Sequence, residues 1–390
     1  MAEAYIVAAA RTAGGRRKGQ LAGWHPADMG AEALNAVVDR AGIDPAAVED
    51  VIMGCVTQGG EQTWAFGRNC VLGSKLPESV PAVTIDRQCG SSQQAVQFAA
   101  QAILSGTQDI IIAAGTESMT RVPLGSNYNL HAQAGIGEGP VSPRIKKKYG
   151  IEEFSQFVGA QMIAEKHGFT REQLDAFALE SHRRAGAATL AGAFDAELIK
   201  LPIMTEDGPG FATRDEGIRY DGSMESLAGL KTLSEGGVIT AGNASQICDG
   251  SAAVLVVSER ALKIHNLKPI ARIHQFAVTA GNPITMLEEP TGATLRVLER
   301  AGMKIDDIDL FECNEAFASV VLAWLKTTGA DPAKTNVNGG GIALGHPLGA
   351  SGAKLMATLI HSLHASGKRW GLQTMCEGGG MANATILERL

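Results

Sequence analysis

Short apolar runs alternate along this chain with longer stretches in which small apolar residues recur at helical spacing. Ala82-Val83-Thr84-Ile85, Ile110-Ile111-Ile112-Ala113-Ala114 and Gly371-Leu372-Gln373-Thr374-Met375 have the length and composition of strands. The stretch after Cys89, carrying Ala95, Ala99, Ala100 and Ala102, has that of a helix whose small side chains let neighbouring helices approach closely. The order of these elements recurs. Ala41-Gly42-Ile43-Asp44 leads through Val48-Glu49-Asp50-Val51-Ile52 to Gly54-Cys55, and 260 residues later Ala301-Gly302-Met303-Lys304 leads through Ile308-Asp309-Leu310-Phe311-Glu312 to Cys313-Asn314. The run from Cys89-Gly90-Ser91-Ser92 to Ser105-Gly106 has its counterpart from Gly349-Ala350-Ser351-Gly352 to Ser366-Gly367. An internal repeat of this kind predicts an α/β protein of two βα halves, each built on a largely parallel sheet, packed face to face through a helical layer.

Between the repeats the pattern changes. Residues 119–250 are richer in Gly, Pro and charge, as in Gly135-Ile136-Gly137-Glu138-Gly139-Pro140 and Asp207-Gly208-Pro209-Gly210. They contain one clear amphipathic helix, from Thr170 to Ala187, opened by a capping box of Thr170 and Gln173. The expected organisation is an N-terminal half over 1–118, completed by about 251–267, an inserted loop domain over 119–250 that lies over a site, and a C-terminal half over 268–390.

Composition narrows the partners. At 390 residues, 45% hydrophobic and 19% charged, the chain can bury a large core and is not disordered. A net charge of −7 offers no broad attraction to nucleic acid or anionic lipid. The first residues lack a basic leader before an apolar core, and no apolar run reaches the ~20 residues that span a bilayer, so a soluble, cytoplasmic protein is expected. Six cysteines without CxxC spacing argue against a metal cage and against a disulfide framework.

Four segments join a reactive side chain to a small-residue context: Gln88-Cys89-Gly90-Ser91, Asn314-Glu315-Ala316-Phe317, Gly345-His346-Pro347-Leu348-Gly349 and Cys376-Glu377-Gly378-Gly379-Gly380. Cys89 follows a strand and opens a helix, where free amides and the helix dipole favour a thiolate. By itself that segment reads more readily as a buried cysteine. The others change the balance. His346 lies in a glycine-rich run suited to a general base, and the glycines after Cys376 offer amides for an oxyanion hole. Superposing the repeat sets the Cys89 turn on the His346–Gly349 turn, so a pseudo-twofold axis brings the segments to one pocket.

These segments, with Thr240-Ala241-Gly242-Asn243-Ala244-Ser245 and Asn336-Val337-Asn338-Gly339-Gly340, resemble the thiolase family over essentially the whole chain. The resemblance implies a layered αβαβα fold with an inserted loop domain. It implies thiolytic cleavage of a 3-ketoacyl-CoA to acyl-CoA and acetyl-CoA, or the reverse condensation, through an acyl-cysteine. Cys89 would be the nucleophile, His346 its activator and Cys376 the acid/base. One oxyanion would be held by His346 with a water on Asn314, the other by the amides of Cys89 and Gly378. Ser245 and Ala241 would line the pantetheine tunnel, with Phe317 flanking it and Arg219 near the nucleotide end of coenzyme A. Coenzyme A enters as co-substrate, and no metal or permanently bound cofactor is implied. A homodimer at least, or a homotetramer, is expected, formed through strand and helix contacts of the first half. Lys146-Lys147-Lys148 reads as a solvated loop and is left out of the site.

The chain also departs from the family pattern. Ser92 stands where the family often has glycine, and Glu377 where a small or apolar residue follows the second cysteine; Glu377 is expected to point away from the site. Phe157-Val158-Gly159 replaces a His-Met-Gly of short-chain biosynthetic members, and Cys248 a more usual asparagine. Together the last two suggest a longer, branched or cyclic acyl group in a degradative pathway. A ketoacyl synthase is disfavoured by Cys376 and Asn314, where that class uses two histidines. A catalytically silent thiolase-like lipid-binding protein is the alternative from another class, and a Cys89–Cys376 redox sensor could coexist with catalysis.

Overall fold

The computed structural model describes residues 2–390. The N-terminal half places β1 (Ala4–Thr12), β2 (Asp50–Gly54), β3 (Ala82–Ile85), β4 (Ile110–Ser118) and β5 (Cys248–Ser258) in the sheet order β1-β5-β4-β2-β3. Its main helices are α1 (Pro26–Ala41) and α2 (Ser91–Ser105). The insertion carries α3 (Pro143–Tyr149), α4 (Gln156–His167) and α5 (Arg171–Leu190). The C-terminal half places β6 (Ala271–Ala280), β7 (Leu310–Cys313), β8 (Trp370–Glu377) and β9 (Met381–Arg389) in the order β6-β9-β8-β7, with helices α6 (Pro290–Ala301), α7 (Ala318–Thr328) and α8 (Ser351–Ser366). The two orders are the same once β1 is set on β6, β5 on β9, β4 on β8 and β2 on β7. The halves join edge to edge where Ala4-Tyr5-Ile6 runs antiparallel to Ala271-Arg272-Ile273.

The sheets are mixed, not largely parallel. β2 pairs parallel with β3 and β4, and β7 with β8, but β5 and β9 return antiparallel. Strands covered on both faces lose the apolar/polar alternation that marks an antiparallel strand. In β4, Ile110, Ile112 and Ala114 enter the outer core, while Ile111 and Ala113 enter the core between the sheets. Direction is therefore not written in that run.

The middle layer is the pair α2 and α8. Ala95, Val96, Ala99 and Ala100 from one meet Ala353, Met356, Ala357 and Ile360 from the other in a single core bounded by both sheets. Buried amides set its register: Gln93 Nε2 donates to Gln373 O at 3.2 Å and to Thr385 Oγ1 at 3.0 Å. Ser92 accepts the Ala353 amide on its Oγ at 2.9 Å. The departure at Ser92 thus ties α2 to α8.

The insertion helix α5 begins after Thr170, and its capping box forms: Thr170 Oγ1 accepts Gln173 N at 3.3 Å, and Gln173 Oε1 accepts Thr170 N at 2.9 Å. Lys146, Lys147 and Lys148 lie in the helix α3, not in a loop, with Lys146 paired to Glu152 at 2.8 Å. The strand that returns from the insertion starts at Cys248, with Asp249 opposite Ser118. Among the described residues no helix is long and apolar enough to cross a membrane.

Candidate active site

Cys89 sits between β3 and α2 in a turn that the sequence fixes locally. Gln88 adopts a left-handed φ of 48°. Asp86 Oδ1 accepts its amide at 2.6 Å, Ser91 Oγ accepts the Arg87 amide at 2.9 Å, and Ser91 Oγ donates to Gln88 O at 2.6 Å. A strained, hydrogen-bonded residue just before a reactive side chain holds that side chain at a set angle. Cys89 is buried beside Val56, Met119, Leu348, Leu355 and Met375.

Its thiol differs from the sequence expectation. Burial, then the neighbouring Glu377, push its pKa up to about 12, against the downward pull of a backbone hydrogen bond. Desolvation outweighs the helix start, so the thiol is protonated at neutral pH. Cys376, at the end of β8, is also raised by burial and then by Cys89 beside it.

His346 approaches from the other half, on the turn before α8. Ser351 Oγ donates to Pro347 O at 2.9 Å and lies 2.5 Å from His346 Nδ1. With Ser351 donating to Pro347 O and the Asn314 amide nitrogen facing Nε2, the tautomer with hydrogen on Nδ1 satisfies both contacts and leaves Nε2 a lone pair. Burial, then the charge of Lys354, lower the His346 pKa to about 3, so the ring is neutral at physiological pH. Nε2 lies 3.4 Å from Asn314 Nδ2, and Asn314 Oδ1 has no partner in the protein. A neutral imidazole whose Nε2 carries a lone pair has the form of a general base, and a protonated thiol that of its proton source, with no ion pair at rest.

Several supporting residues were not singled out in the sequence. Lys354 Nζ donates to Leu344 O at 2.5 Å and to Gly345 O at 3.2 Å, fixing the two carbonyls before His346. It lies 3.6 Å from Asp215, which Arg11 and Lys354 hold ionised despite burial. Gln246 O accepts the His346 amide at 3.1 Å, while Gln246 Nε2 donates to Gly217 O and Ile342 O. Glu315, beside Asn314, accepts from Ser181, Asn336 and the Ile342 amide. Lys354 carries a signal in the sequence, a charge between Ala353 and Leu355-Met356-Ala357; Asp215 and Gln246 lie in polar stretches and carry none.

The remaining predicted residues divide. Phe317 is buried in the same cluster as Cys376, and the Ser245 amide donates to Ala316 O at 2.9 Å, so both adjoin the centre. Gly378 packs on the Cys89 turn, where a Cβ would come 2.8 Å from Gln88 Oε1. Ala241 and Arg219 are exposed, and the Arg219 amide donates to His182 Nδ1 at 3.1 Å. Cys248 is buried against the His346 turn, where a Cβ at Gly345 would come 2.6 Å from its Sγ. Phe157 is half exposed and stands edge-on to Phe317 at 5.8 Å. Glu377 does not point away: it is fully buried and turned toward Gly90, because the residue after Cys376 on a strand must face the opposite side, and that side is the Cys89 turn.

A groove of about 470 Å³ is lined by Arg144, Ile145, Lys148, Tyr149, Phe154 and Pro283, with Gly379 of the glycine turn after Cys376 also on its wall.

Residues 4–260 match the family model described as thiolase, N-terminal domain, and residues 267–389 that of thiolase, C-terminal domain. The chain is 53% identical over 395 residues to a steroid 3-ketoacyl-CoA thiolase of Mycobacterium tuberculosis, covering 100% of this chain and 95% of that one. It is 40% identical over 398 residues to an acetyl-CoA acetyltransferase of Escherichia coli, covering 100% of both. The crystal structure of human mitochondrial 3-ketoacyl-CoA thiolase superposes with a TM-score of 0.90 at 33% identity, covering 100% of this chain and 99% of that one.

Proposed function

The chain belongs to the thiolase family, and we propose that Cys89, His346, Asn314 and Cys376 carry its acyl transfer, with a bulky 3-ketoacyl-CoA cleaved in a degradative pathway. It is an acyltransferase that interconverts a 3-ketoacyl-CoA plus coenzyme A with acyl-CoA plus acetyl-CoA.

The observation that carries the residue roles is the meeting of the two halves. A neutral His346 from one half is oriented by Ser351 and lies 3.4 Å from Asn314, and Cys89 from the other half lies beside Cys376. In cleavage, His346 Nε2 takes the Cys89 proton as sulfur bonds to the 3-keto carbon. The C2–C3 bond breaks, its electron pair passes into the acetyl-CoA enolate, and the Cys376 thiol supplies the proton to C2. The Cys376 thiolate then takes the proton of an incoming coenzyme A thiol, whose sulfur attacks the acyl-Cys89 carbonyl. Cys89 leaves as thiolate and recovers its proton from the imidazolium. Asn314 beside His346, and the amides of Cys89 and Gly378, are the donors proposed for the two oxyanions. Coenzyme A is a substrate in this scheme, and no resident cofactor is needed. Ser245 and Ala241 line its pantetheine, Phe317 flanks it, and Arg219 lies toward its nucleotide end.

The groove walled by Tyr149, Phe154, Ile145 and Pro283 supports a large acyl group. Phe157 on Phe317 adds apolar surface at the cluster that holds Cys376. The test is turnover of acetoacetyl-CoA against longer and cyclic 3-ketoacyl-CoAs with free coenzyme A, using Cys89→Ala as control. Turnover of the larger members, absent in the variant, is expected. A sharp optimum at acetoacetyl-CoA overturns the substrate reading, and binding with no turnover of any member overturns the catalytic one.

A further inference from the structure

Glu117 and Glu377 occupy the same place in the two halves, 260 residues apart at the ends of β4 and β8. Each carboxyl reaches across the pseudo-twofold axis to the helix-start turn of the other half. A Cβ at Gly349 would come 2.7 Å from Glu117 Oε2, and a Cβ at Gly90 would come 2.0 Å from Glu377 Oε1. Gly90 follows Cys89, so the glycine in the nucleophile's turn is required by the carboxyl that lies against it.

The surroundings of the two carboxyls differ. Glu117 accepts the amides of Val56, Thr57 and Gly349 and the side-chain amide of Gln62, each at 2.9 Å. Glu377 is just as buried, and neither of its oxygens has a partner in the protein. Asn383, on the same face of the β8–β9 hairpin, donates to Gly90 O at 3.1 Å and has an unpartnered Oδ1, an acceptor suited to a carboxylic O–H. The charged and titratable groups facing this corner are Asp86, Arg87 and Cys89 from the turn and Cys376 from β8, with Glu117 acting on Cys89 from β4. Arg87 is the cation acting on Glu377, but it makes no hydrogen bond to either carboxyl oxygen: its Nη1 lies on Met381 Sδ at 3.6 Å and its Nε has no partner. An ionised carboxylate enclosed without donors is strongly disfavoured, and the neutral acid is the form such a place accepts.

We propose that Glu377 is a positioning residue that works as a neutral acid: lodged against Gly90, it supports the Cys89 turn without setting a negative charge beside the nucleophile, and its ionisation switches that nucleophile off. The inference rests on the reading of Cys89 as nucleophile. Burial, opposed by Arg87, pushes the Glu377 pKa up to about 9, which places the switch on the alkaline side. Above it, forming a Cys89 thiolate would put two negative charges side by side in a poorly solvated corner.

The test is the rate at which iodoacetamide alkylates Cys89, located by peptide mass, in the full-length wild type and in Glu377→Gln between about pH 7 and 10. The ratio of rates at the two ends is compared within each protein, because a merely structural role for Glu377 would scale both ends together. The wild-type rate is expected to stop rising near pH 9, whereas that of Glu377→Gln keeps rising, giving a ratio at least about tenfold larger. Equal ratios overturn the proposal. A wild-type rate climbing without inflection through pH 10 overturns it even if the variant does not fold. Preferential labelling of a different cysteine would instead overturn the nucleophile assignment. The acid form of Glu377 is read separately, from the carbonyl stretch of a protonated carboxyl in the wild-type minus Glu377→Gln infrared spectrum at neutral pH. Its presence supports the neutral acid, and its absence overturns it.

Discussion

In the N-terminal half, the strand-end carboxyl of Glu117 accepts four hydrogen bonds and ties down the turn at Gly349; in the C-terminal half, the equivalent Glu377 accepts none and lies against the turn of Cys89. The same contrast runs through the turns themselves. Asp86 and His346 are 260 residues apart, but Asp86 closes its own turn by accepting Gln88 N, whereas His346 is held from behind by Ser351 and presents Nε2 to Asn314. Duplication thus supplies one backbone twice. The carboxyl of Glu117 is satisfied and serves as scaffold, whereas Asn314 Oδ1, Asn383 Oδ1 and both Glu377 oxygens are without protein partners. Unsatisfied buried groups are costly, and they gather where chemistry needs them free.

The largest effects should come from altering the two equivalent turns. Cys89→Ala is expected to lower kcat by about 10⁴-fold or more while leaving the fold intact. Gly349→Ala, at the equivalent position, brings a Cβ within 2.7 Å of the Gly54 carbonyl and the Cys55 Cα, and should act on folding instead. A loss of about 3 kcal/mol in urea unfolding is expected. Steady-state kinetics beside denaturation curves would separate the two, and a Gly349→Ala protein of unchanged stability would show that the scaffold turn is not constrained as described.

Next in size is the pair of carboxyls, where opposite signs are expected. For Glu377 the pKa rises from 4.5 to about 9 on folding, so the native state holds a proton that the unfolded chain has released between those values. Its contribution to stability is most favourable below pH 4.5 and is lost as pH rises toward 9. Glu377→Gln removes that loss and should stabilise the protein at pH 7 by up to about 3 kcal/mol relative to wild type. Glu117→Gln replaces an acceptor of four hydrogen bonds with an amide that cannot match all of them, and should cost about 2 kcal/mol. Thermal melts of both variants across pH would check this, and the same sign for both would break the comparison.

Ser351→Ala frees His346 Nδ1 and with it the ring orientation, and kcat should fall by about 10²-fold with less change in KM. Its equivalent, Ser91→Ala, loosens the Cys89 turn, where Asp86 still holds Gln88, and a smaller loss is expected. Parallel kinetics on the two serine variants would rank them. The smallest effect should come from Phe157→Ala, which removes apolar surface at Phe317 and should reduce the preference for large over small acyl groups by about tenfold.

Much of this was legible along the chain. The repeat, the two cysteines, His346, Asn314 and the capped helix α5 are local patterns, each set by spacing or by a few neighbouring residues. The strand directions were not legible, because strands covered on both faces carry no alternation to reveal how they pair. The ionisation of Cys89 was misjudged for a related reason: a helix start is visible in the sequence, but the depth of burial that outweighs it is not. Glu377 was expected to turn outward, and strand alternation did turn it away from the face of Cys376. What lay on its other face was supplied by a turn nearly three hundred residues earlier. The sequence by itself determined the duplicated plan, the chemistry available and the family, because these depend on residue type and order. Only the tertiary structure decided which groups meet, which thiol is protonated and which of two equivalent carboxyls is left without donors, because desolvation and hydrogen bonding are set by neighbours remote in the chain.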